Sequence, residues 1–272
     1  MTIARLRFYE ELNDFLAPER RKIEFDYVCA RAATVKNAIE ALGVPHTEVE
    51  LILANGKSVD FSYLVRDGDR IAVYPMFEAF DIRPLLRLRP EPLRRLRFIA
   101  DSHLGGLARF LRMLGFDTLY RNTWHDAEIR RLAALGQRII LTRDRDLLKC
   151  RDVTHGCFVH ERKPEQQLRE IVRRLQLEGD ARPFTLCLGC NVALEPADKS
   201  AVAHRIPPNA ARFYDRFSTC PSCGGIFWEG THWRRMRAWP MCWPATWRHE
   251  RAHYLFRETI RRTPARIVPC GS

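Results

Sequence analysis

The first 80 residues alternate apolar and polar side chains with a period of two, as half-buried β-strands do. This alternation covers residues 2–9 and 22–28. It returns on both sides of Asn55-Gly56, a dipeptide typical of tight hairpin turns, and again within residues 67–75. The pattern therefore predicts five strands in this part of the chain, two before residue 30 and three after residue 50.

A helix is predicted between these two groups of strands. The stretch "TVKNAIEALGV" (34–44) has helical spacing, with Thr34 as its N-cap and Gly43 as its stop. The order β-β-α-β-β, with the last strand after it, predicts an α+β module over residues 1–80, which resembles the β-grasp, ubiquitin-like domains related to small sulfur carriers. Those carriers act through a free C-terminal Gly-Gly, whereas this segment runs on through "YPMFEAFDIRP" without a diglycine. We therefore expect it to dock on a protein partner or to act as a scaffold, rather than to carry sulfur.

The pattern changes after residues 81–96, a Pro- and Arg-rich stretch that we interpret as a linker. Over residues 97–180, short apolar strands alternate with helices. Strands are predicted at 97–100, 117–120, 138–142 and 157–160, and helices at about 103–114, 126–135 and 164–177. This alternation predicts βαβ units and a largely parallel sheet flanked by helices. In the first helix an apolar stripe faces the core, and Arg109 and Arg112 face away.

Four aspartates follow the predicted strands of this sheet. Asp101 comes directly after the first strand, Asp126 opens the helix after the second, and Asp144 and Asp146 follow the third. Ligands of open parallel sheets bind at the carboxyl ends of the strands. The sequence therefore predicts that four carboxylates lie at one edge of a small sheet.

Such a cluster points to metal binding. Two carboxylates about 4 Å apart repel by ~1 kcal/mol in bulk water and by ~4 kcal/mol at an effective dielectric of about 20, so a cluster favours a divalent cation. Oxygen ligands select Mg²⁺ or Mn²⁺, ions that promote phosphodiester hydrolysis. Arg143 and Arg145 are candidates to clamp the phosphate. Thr142 is a candidate to orient Asp101 or a water, and His103 to touch substrate.

A purely structural role is the alternative for each acid. Asp126 and Asp144 are suitable helix N-caps, Asp101 could also be a cap, and Asp146 could stabilise a first helical turn. Glu128 competes with Asp126 for the second acidic position.

The stretch "FIADSHLGGLARFLRMLGFDTLY", followed by "LTRDRDLL", resembles the PIN-like Mut-seven C-terminal RNase domains. The T-x-D-x-D arrangement within it is shared more widely with PIN-domain nucleases. The resemblance covers about residues 97–237 and implies a hydrolase, a metal-dependent ribonuclease that cleaves RNA phosphodiester bonds. The catalytic residues that it implies are Asp101, Asp126, Asp144 and Asp146, with Asp101, Asp144 and Asp146 as ligands of Mg²⁺ or Mn²⁺.

Two C-x-x-C pairs, "CLGC" and "CPSCGG", predict a closed tetrahedral Zn²⁺ site without an open position for catalysis. The 29 residues between the pairs exceed the more usual spacing of about 15–20, which indicates an insertion. The predicted ligands are Cys187, Cys190, Cys220 and Cys223, in a zinc ribbon over residues 181–237. Redox chemistry of the dithiols is the alternative.

Aromatic and basic side chains follow the second pair. Trp228, Trp233, Arg234 and Arg235 are candidates to stack on bases and to bind phosphates of RNA. The aromatic rings could equally cover the small core of the ribbon. The remaining residues, 238–272, form an Arg- and Trp-rich basic tail to which the sequence assigns no role.

The charge of the chain favours RNA as the partner of its second part. The net charge of the 272 residues is +12, but residues 1–80 carry −3 and residues 81–272 carry +15. The sequence shows neither an apolar run long enough to span a membrane nor a signal peptide, so we expect no membrane association. Nine cysteines, four of them in C-x-x-C pairs, favour metal binding in the reducing cytoplasm. The alternatives to a ribonuclease are a non-catalytic zinc-ribbon RNA-binding protein and an adaptor, and the oligomeric state stays open.

Overall fold

The computed structural model describes residues 2–30, 32–75 and 96–230. Almost all of the predicted linker lies outside the described residues, as do Trp233, Arg234, Arg235 and the basic tail. The chain divides into two compact units: Met1–Ala108 with Leu119–Arg162, and Arg109–Thr118 with Lys163–Ser272.

The N-terminal part is a five-stranded mixed sheet crossed by one helix. Its strands are β1 (Thr2–Phe8), β2 (Phe25–Cys29), β3 (Leu51–Ala54), β4 (Lys57–Val59) and β5 (Arg70–Tyr74), and its helix is α1 (Val35–Ala41). The strand order is β2-β1-β5-β3-β4, and β1 runs parallel to β5. Thr34 caps α1 by accepting a hydrogen bond from the backbone N–H of Asn37 at 3.3 Å. The predicted β-grasp fold is confirmed.

A four-stranded parallel sheet follows, with helices between its strands and one after the last strand. The strands are β6 (Phe98–Ala100), β7 (Thr118–Tyr120), β8 (Ile139–Thr142) and β9 (Gly156–Phe158). The helices are α2 (Gly105–Met113), α3 (Asp126–Gly136), α4 (Arg145–Lys149) and α5 (Pro164–Arg174). In the order β7-β6-β8-β9, β8 runs parallel to both β6 and β9. The apolar runs of β6 and β8 are fully buried, as expected for central parallel strands, and the predicted parallel sheet is confirmed.

One hydrophobic cluster joins the two sheets within the first unit. Phe15 and Val49 belong to the ubiquitin-like segment, residues 1–80. They lie in the same cluster as Ile140, Leu148 and Phe158 of the parallel-sheet segment, residues 97–180. The ubiquitin-like segment and the parallel sheet therefore share a core.

Two polar contacts reinforce that shared core. His46 Nε2 lies 2.9 Å from the carbonyl oxygen of Val153. The buried Glu48 carboxylate accepts a hydrogen bond from the backbone N–H of Phe158. Both contacts satisfy polar groups that the shared core takes out of water.

The second unit carries a small three-stranded antiparallel sheet. Its strands are β10 (Glu195–Ala197), β11 (Phe217–Thr219) and β12 (Ile226–Trp228). The helices α6 (Lys199–Val202) and α7 (Pro208–Phe213) occupy the insertion between the two C-x-x-C pairs. Four buried apolar residues form the core here: Val202, Ile206, Ala210 and Phe217. In the described part of the chain no helix is both long and apolar enough to cross a membrane.

One side chain of α2 differs from its predicted environment. Arg112 was expected to face solvent, but it is only 4% exposed. Its Nε donates to the carbonyl of Thr118 at 2.8 Å, and its Nη1 donates to the carbonyls of Leu188 and Gly189 at 2.9 and 2.7 Å. The polar face of the helix is thus covered at Arg112 by the first C-x-x-C turn, while Arg109 is exposed.

Candidate functional site

Two adjacent parallel strands bring Asp101 and Asp144 together. Asp101 directly follows β6, and Asp144 lies two residues beyond Thr142, the last residue of β8. The Thr142 hydroxyl donates to Asp101 Oδ2 at 2.7 Å and accepts from the backbone N–H of Asp144 at 3.0 Å. One buried hydroxyl therefore fixes the two strand ends relative to each other.

Both aspartates also cap short helices. Asp101 Oδ1 accepts from the backbone N–H of Ser102 at 2.5 Å and from its hydroxyl at 3.1 Å. Asp144 Oδ1 accepts from the backbone N–H groups of Asp146 and Leu147 at 2.8 and 3.4 Å. Asp101 and Asp144 thus act as the helix caps that the structural alternative predicted. They do not exclude metal binding, because each carboxylate oxygen has two lone pairs.

All four predicted aspartates line one open pocket of about 590 Å³. Its lining residues are Gly43, Asp101, Ser102, His103, Asp126, Arg143, Asp144, Arg145, Asp146 and Lys149. The pocket thus combines carboxylates with three basic side chains and one histidine. This combination suits a ligand that is both metal-bound and anionic, such as a phosphodiester.

The two candidates for the second acidic position have different surroundings. Helix α3 begins at Asp126, with His125 in the N-cap position, so the exposed Asp126 carboxylate is not the cap. Glu128 accepts two hydrogen bonds from Arg131, at 2.8 and 2.9 Å, and this pairing lowers the pKa of Glu128. Asp126 lines the pocket, and Glu128 is not among the lining residues.

The carboxylates are spread around the pocket rather than gathered into a tight cage. The Asp146 side chain is 93% exposed and lies 3.8 Å from Lys149 Nζ. Among the described residues, only the cysteine quartet brings three or more His, Cys, Asp or Glu ligand atoms close enough together to hold an ion as they stand. The donors of the pocket nevertheless fit a hard divalent cation, because all four are carboxylates.

The two arginines beside the acids have different partners. Arg143 Nη1 donates to three backbone carbonyls, those of Val159, His160 and Glu161, at 2.9, 2.7 and 2.6 Å. It therefore holds the segment that follows β9. Arg145 instead places its guanidinium over the ring of Phe15, 5.0 Å from the centroid.

The four predicted zinc ligands converge in the second unit. The sulfur atoms of Cys187, Cys190, Cys220 and Cys223 all lie within 4.8 Å of one another. Tetrahedral coordination with Zn–S bonds of ~2.3 Å requires sulfur atoms about 3.8 Å apart. The Sγ atoms of Cys187 and Cys223 are separated by 3.8 Å, so the quartet fits a zinc ion.

The environments of these thiols differ. Burial raises the pKa of Cys187 to about 12. A hydrogen bond from the backbone of Gly225 lowers the pKa of Cys223 to about 7. A bound cation would compensate the cost of ionising the buried Cys187 thiol, as zinc does when it displaces thiol protons.

Trp228 packs in the ribbon rather than projecting from it. It is half-buried on β12, its ring centroid lies 6.4 Å from that of Phe217, and it belongs to the ribbon's apolar cluster. This packing matches the alternative in which the aromatic side chains cover the ribbon core.

Sequence reasoning did not single out Gly43 and Lys149 as pocket residues. Lys149 has a local signal, because it lies one helical turn after Asp146. Gly43 has none, since it belongs to the ubiquitin-like segment and is distant in sequence from every aspartate of the pocket.

Two family models match the chain. The Mut7-C RNAse domain matches residues 96–239, more than half of the chain. The chain belongs to the Mut7-C RNAse domain family. The Mut7-C match includes the four aspartates of the pocket and the cysteine quartet, and a second model, Mut7-C ubiquitin, matches residues 1–81. Both matches confirm the resemblances seen in the sequence.

Other comparisons add structural neighbours of this Mut7-C protein. The small archaeal modifier protein 1 of H. volcanii is 17% identical, with a TM-score of 0.24, over 28% of this chain and 100% of that chain. A structure of SAMP1 from Haloferax volcanii is 17% identical, with a TM-score of 0.23, over 29% of this chain and 99% of that chain. No curated protein matches the chain.

Proposed function

We propose that the protein is a Mg²⁺- or Mn²⁺-dependent ribonuclease that hydrolyses RNA phosphodiester bonds in the aspartate pocket. One observation carries the proposal: Asp101 and Asp144, at adjacent strand ends, share the hydroxyl of Thr142 and line the same open pocket. Membership of an RNase domain family agrees with it. The non-catalytic alternatives are disfavoured, because a pure RNA-binding protein would gain nothing from four carboxylates in its basic part.

Asp101, Asp144 and Asp146 would hold the metal ion, with Asp126 contributing directly or through a water. Such an ion, when bound, lowers the pKa of a coordinated water and neutralises charge on the phosphate oxygens. These acids supply the oxygen ligands that Mg²⁺ and Mn²⁺ prefer.

The other residues of the pocket orient the acids and bind substrate. Thr142 keeps Asp101 in place through its 2.7 Å hydrogen bond. Arg145 and Lys149 line the same pocket and offer cationic donors to phosphate oxygens. The excess of basic residues after residue 80 would draw RNA towards this part of the protein.

The cysteine quartet would hold a structural Zn²⁺, since four protein ligands leave no position open for substrate. Trp233, Arg234 and Arg235 follow the second C-x-x-C pair and remain candidates for RNA contact on the basis of their chemistry. A thiolate-bound zinc agrees with a reducing compartment such as the cytoplasm. A protein partner of the ubiquitin-like segment is part of the same proposal.

The direct test is cleavage of a labelled single-stranded RNA by the full chain with and without added Mn²⁺. We expect Mn²⁺-dependent cleavage that is lost in Asp144→Asn, which keeps the shape of the side chain but removes its charge. Asp152→Asn is the matched control, because Asp152 pairs with Arg130 and does not line the pocket. Metal-independent cleavage, or equal loss in both variants, would contradict the proposal.

A further inference from the structure

Two aromatic rings from different parts of the chain hold the Arg145 guanidinium. Its central carbon lies 5.0 Å from the ring centroid of Phe15 and 5.5 Å from that of Phe158. The two rings meet edge to face, with centroids 5.4 Å apart and planes at 73°. Phe158 ends β9, whereas Phe15 belongs to the ubiquitin-like segment, and both rings are buried. The ubiquitin-like segment thus supplies one of the two rings that contact Arg145, a residue of the pocket.

These contacts with the two rings leave the hydrogen-bond donors of Arg145 available. Among residues 2–30, 32–75 and 96–230, the Arg145 side chain has no hydrogen-bond or ion-pair partner, although Arg145 stands between Asp144 and Asp146 in the sequence. A cation–π contact is an attraction between the charge and the ring, and it leaves the five N–H donors of the guanidinium without an oxygen acceptor. An arginine held in this way can present its planar fork to a phosphate.

Arg143 shows the opposite arrangement. One of its terminal nitrogens donates to three backbone carbonyls, so its function in the fold is to hold the segment after β9. Both arginines line the pocket. Of the two, Arg145 is the one whose guanidinium is positioned without use of its donors.

The backbone that presents Phe15 is itself fixed. Phe15 ends a 3-10 turn, Glu10–Phe15. The buried Asn13 side chain donates to the carbonyls of Phe8 and Glu10 and accepts from the backbone N–H of Lys22. These three hydrogen bonds hold the turn that carries the ring.

Gly43 lets the same turn approach the pocket closely. Its φ of +96° is a backbone conformation that residues with a side chain rarely adopt. A Cβ added at this position would lie 3.2 Å from the carbonyl oxygen of Phe15. Because Gly43 also lines the pocket, the turn that carries Phe15 packs against a residue of the pocket wall.

We infer that Phe15 of the ubiquitin-like segment is a positioning residue that, with Phe158, holds Arg145 ready to bind a phosphate of the RNA substrate. The inference rests on the nuclease function proposed above. The ubiquitin-like segment is then a structural part of the nuclease site, whatever else it binds.

The test is a double-mutant cycle on the affinity of the full chain for a short labelled single-stranded RNA. The measurement is made in an Asp101→Asn background without added divalent metal, so that the RNA stays intact. Phe15→Leu keeps an apolar side chain but removes the ring, and we expect it to weaken RNA binding by about three- to ten-fold, the range of a partly exposed cation–π contact. In Arg145→Ala the same change should have no further effect, because the guanidinium is absent.

Phe8→Leu is the matched control. Phe8 is a buried ring of the same hydrophobic cluster, and it packs against Phe25 instead of Arg145. It should lower the melting temperature, as Phe15→Leu does, and leave RNA affinity unchanged. An equal loss of affinity in Phe8→Leu, or a loss in Phe15→Leu that persists in Arg145→Ala, would overturn the inference. Failure of the proposed function has a different signature, since it appears as undiminished cleavage by the Asp101→Asn protein.

Discussion

Thr142 is the residue on which the geometry of the aspartate pocket depends most. Its side chain is fully buried, and its hydroxyl both donates to Asp101 and accepts from the backbone of Asp144. No other residue type offers a donor and an acceptor from one small β-branched side chain. Thr142, the last residue of β8, therefore fixes the orientation of the Asp101 carboxylate.

We predict that Thr142→Val lowers both stability and cleavage. Valine has nearly the same shape but leaves the Asp144 N–H and Asp101 Oδ2 without this partner, at a cost of about 1–3 kcal/mol in the free energy of unfolding. Cleavage should fall because the Asp101 carboxylate is no longer oriented. Urea denaturation and RNA cleavage of the two proteins measure the effects. Thr142→Ser, which keeps the hydroxyl, should retain most of the activity, and a fully active Thr142→Val protein would contradict this role.

The sequence alone predicted that four aspartates would lie at the pocket. It did not predict which groups the neighbouring side chains contact. The four aspartates could be placed at strand ends because parallel strands share an edge, and all four line the pocket. The choice between Asp126 and Glu128 depends on Arg131, and the difference between Arg143 and Arg145 depends on carbonyls and rings supplied by tertiary structure. Such partners have no signature in a local pattern.

At the scale of helices and strands, length decided what could be predicted. The alternating strands of the ubiquitin-like segment and the Asn55-Gly56 hairpin carry strong local signals, and the structure confirms them. Helices α6 and α7 were missed because four to six residues show too little periodicity. The longer helix predicted at 164–177 ends at Arg174, just before Gln176 adopts a positive φ of 50°.

Arg112 gives α2 a second function as an anchor for the first cysteine turn. Burial lowers the pKa of its guanidinium, and three backbone carbonyls compensate by accepting its hydrogen bonds. We predict that Arg112→Met lowers the free energy of unfolding by at least about 3 kcal/mol, because these buried acceptors lose their donor. Arg109→Met, on the exposed face of the same helix, should change stability by less than about 0.5 kcal/mol. Equal effects in chemical denaturation would show that the carbonyl contacts are not important.

The cysteine quartet should make the ribbon depend on zinc for folding. Among its described residues four buried side chains form the apolar core, so we expect the metal to contribute on the order of 10 kcal/mol to the folding of this part. Purified protein should contain one tightly bound zinc ion, and Cys187→Ser should lose it and melt at a lower temperature. Cys150→Ser should keep the zinc, because Cys150 lies outside the quartet. Metal analysis and thermal melting decide the matter, and a zinc-free native protein that folds normally would refute the assignment.

At the scale of the whole molecule, the ubiquitin-like segment and the parallel sheet form one structural unit. They share a hydrophobic cluster, and His46 and Glu48 contact the backbone of Val153 and Phe158. None of these contacts was predicted, because each joins residues that are far apart in the sequence and carry no shared pattern. The family models treat the two parts as separate matches, whereas the shared core ties the ubiquitin-like segment to the parallel sheet.

The central claim is that the aspartate pocket cleaves RNA with the help of a divalent metal ion. The most direct test compares the wild-type protein with Asp101→Asn and measures RNA cleavage, RNA affinity and melting temperature together. We predict that cleavage falls by orders of magnitude, while affinity is kept or rises because a negative charge is removed from a site that binds an anion. The melting temperature should change by only a few degrees, because the amide cannot accept at both positions, as Asp101 does from Ser102 and Thr142, whereas the lost charge relieves repulsion among carboxylates in the metal-free state. An Asp101→Asn protein that cleaves RNA like the wild type would contradict the account, because Asp101 would then be no more than the cap of the turn at Ser102–Leu104.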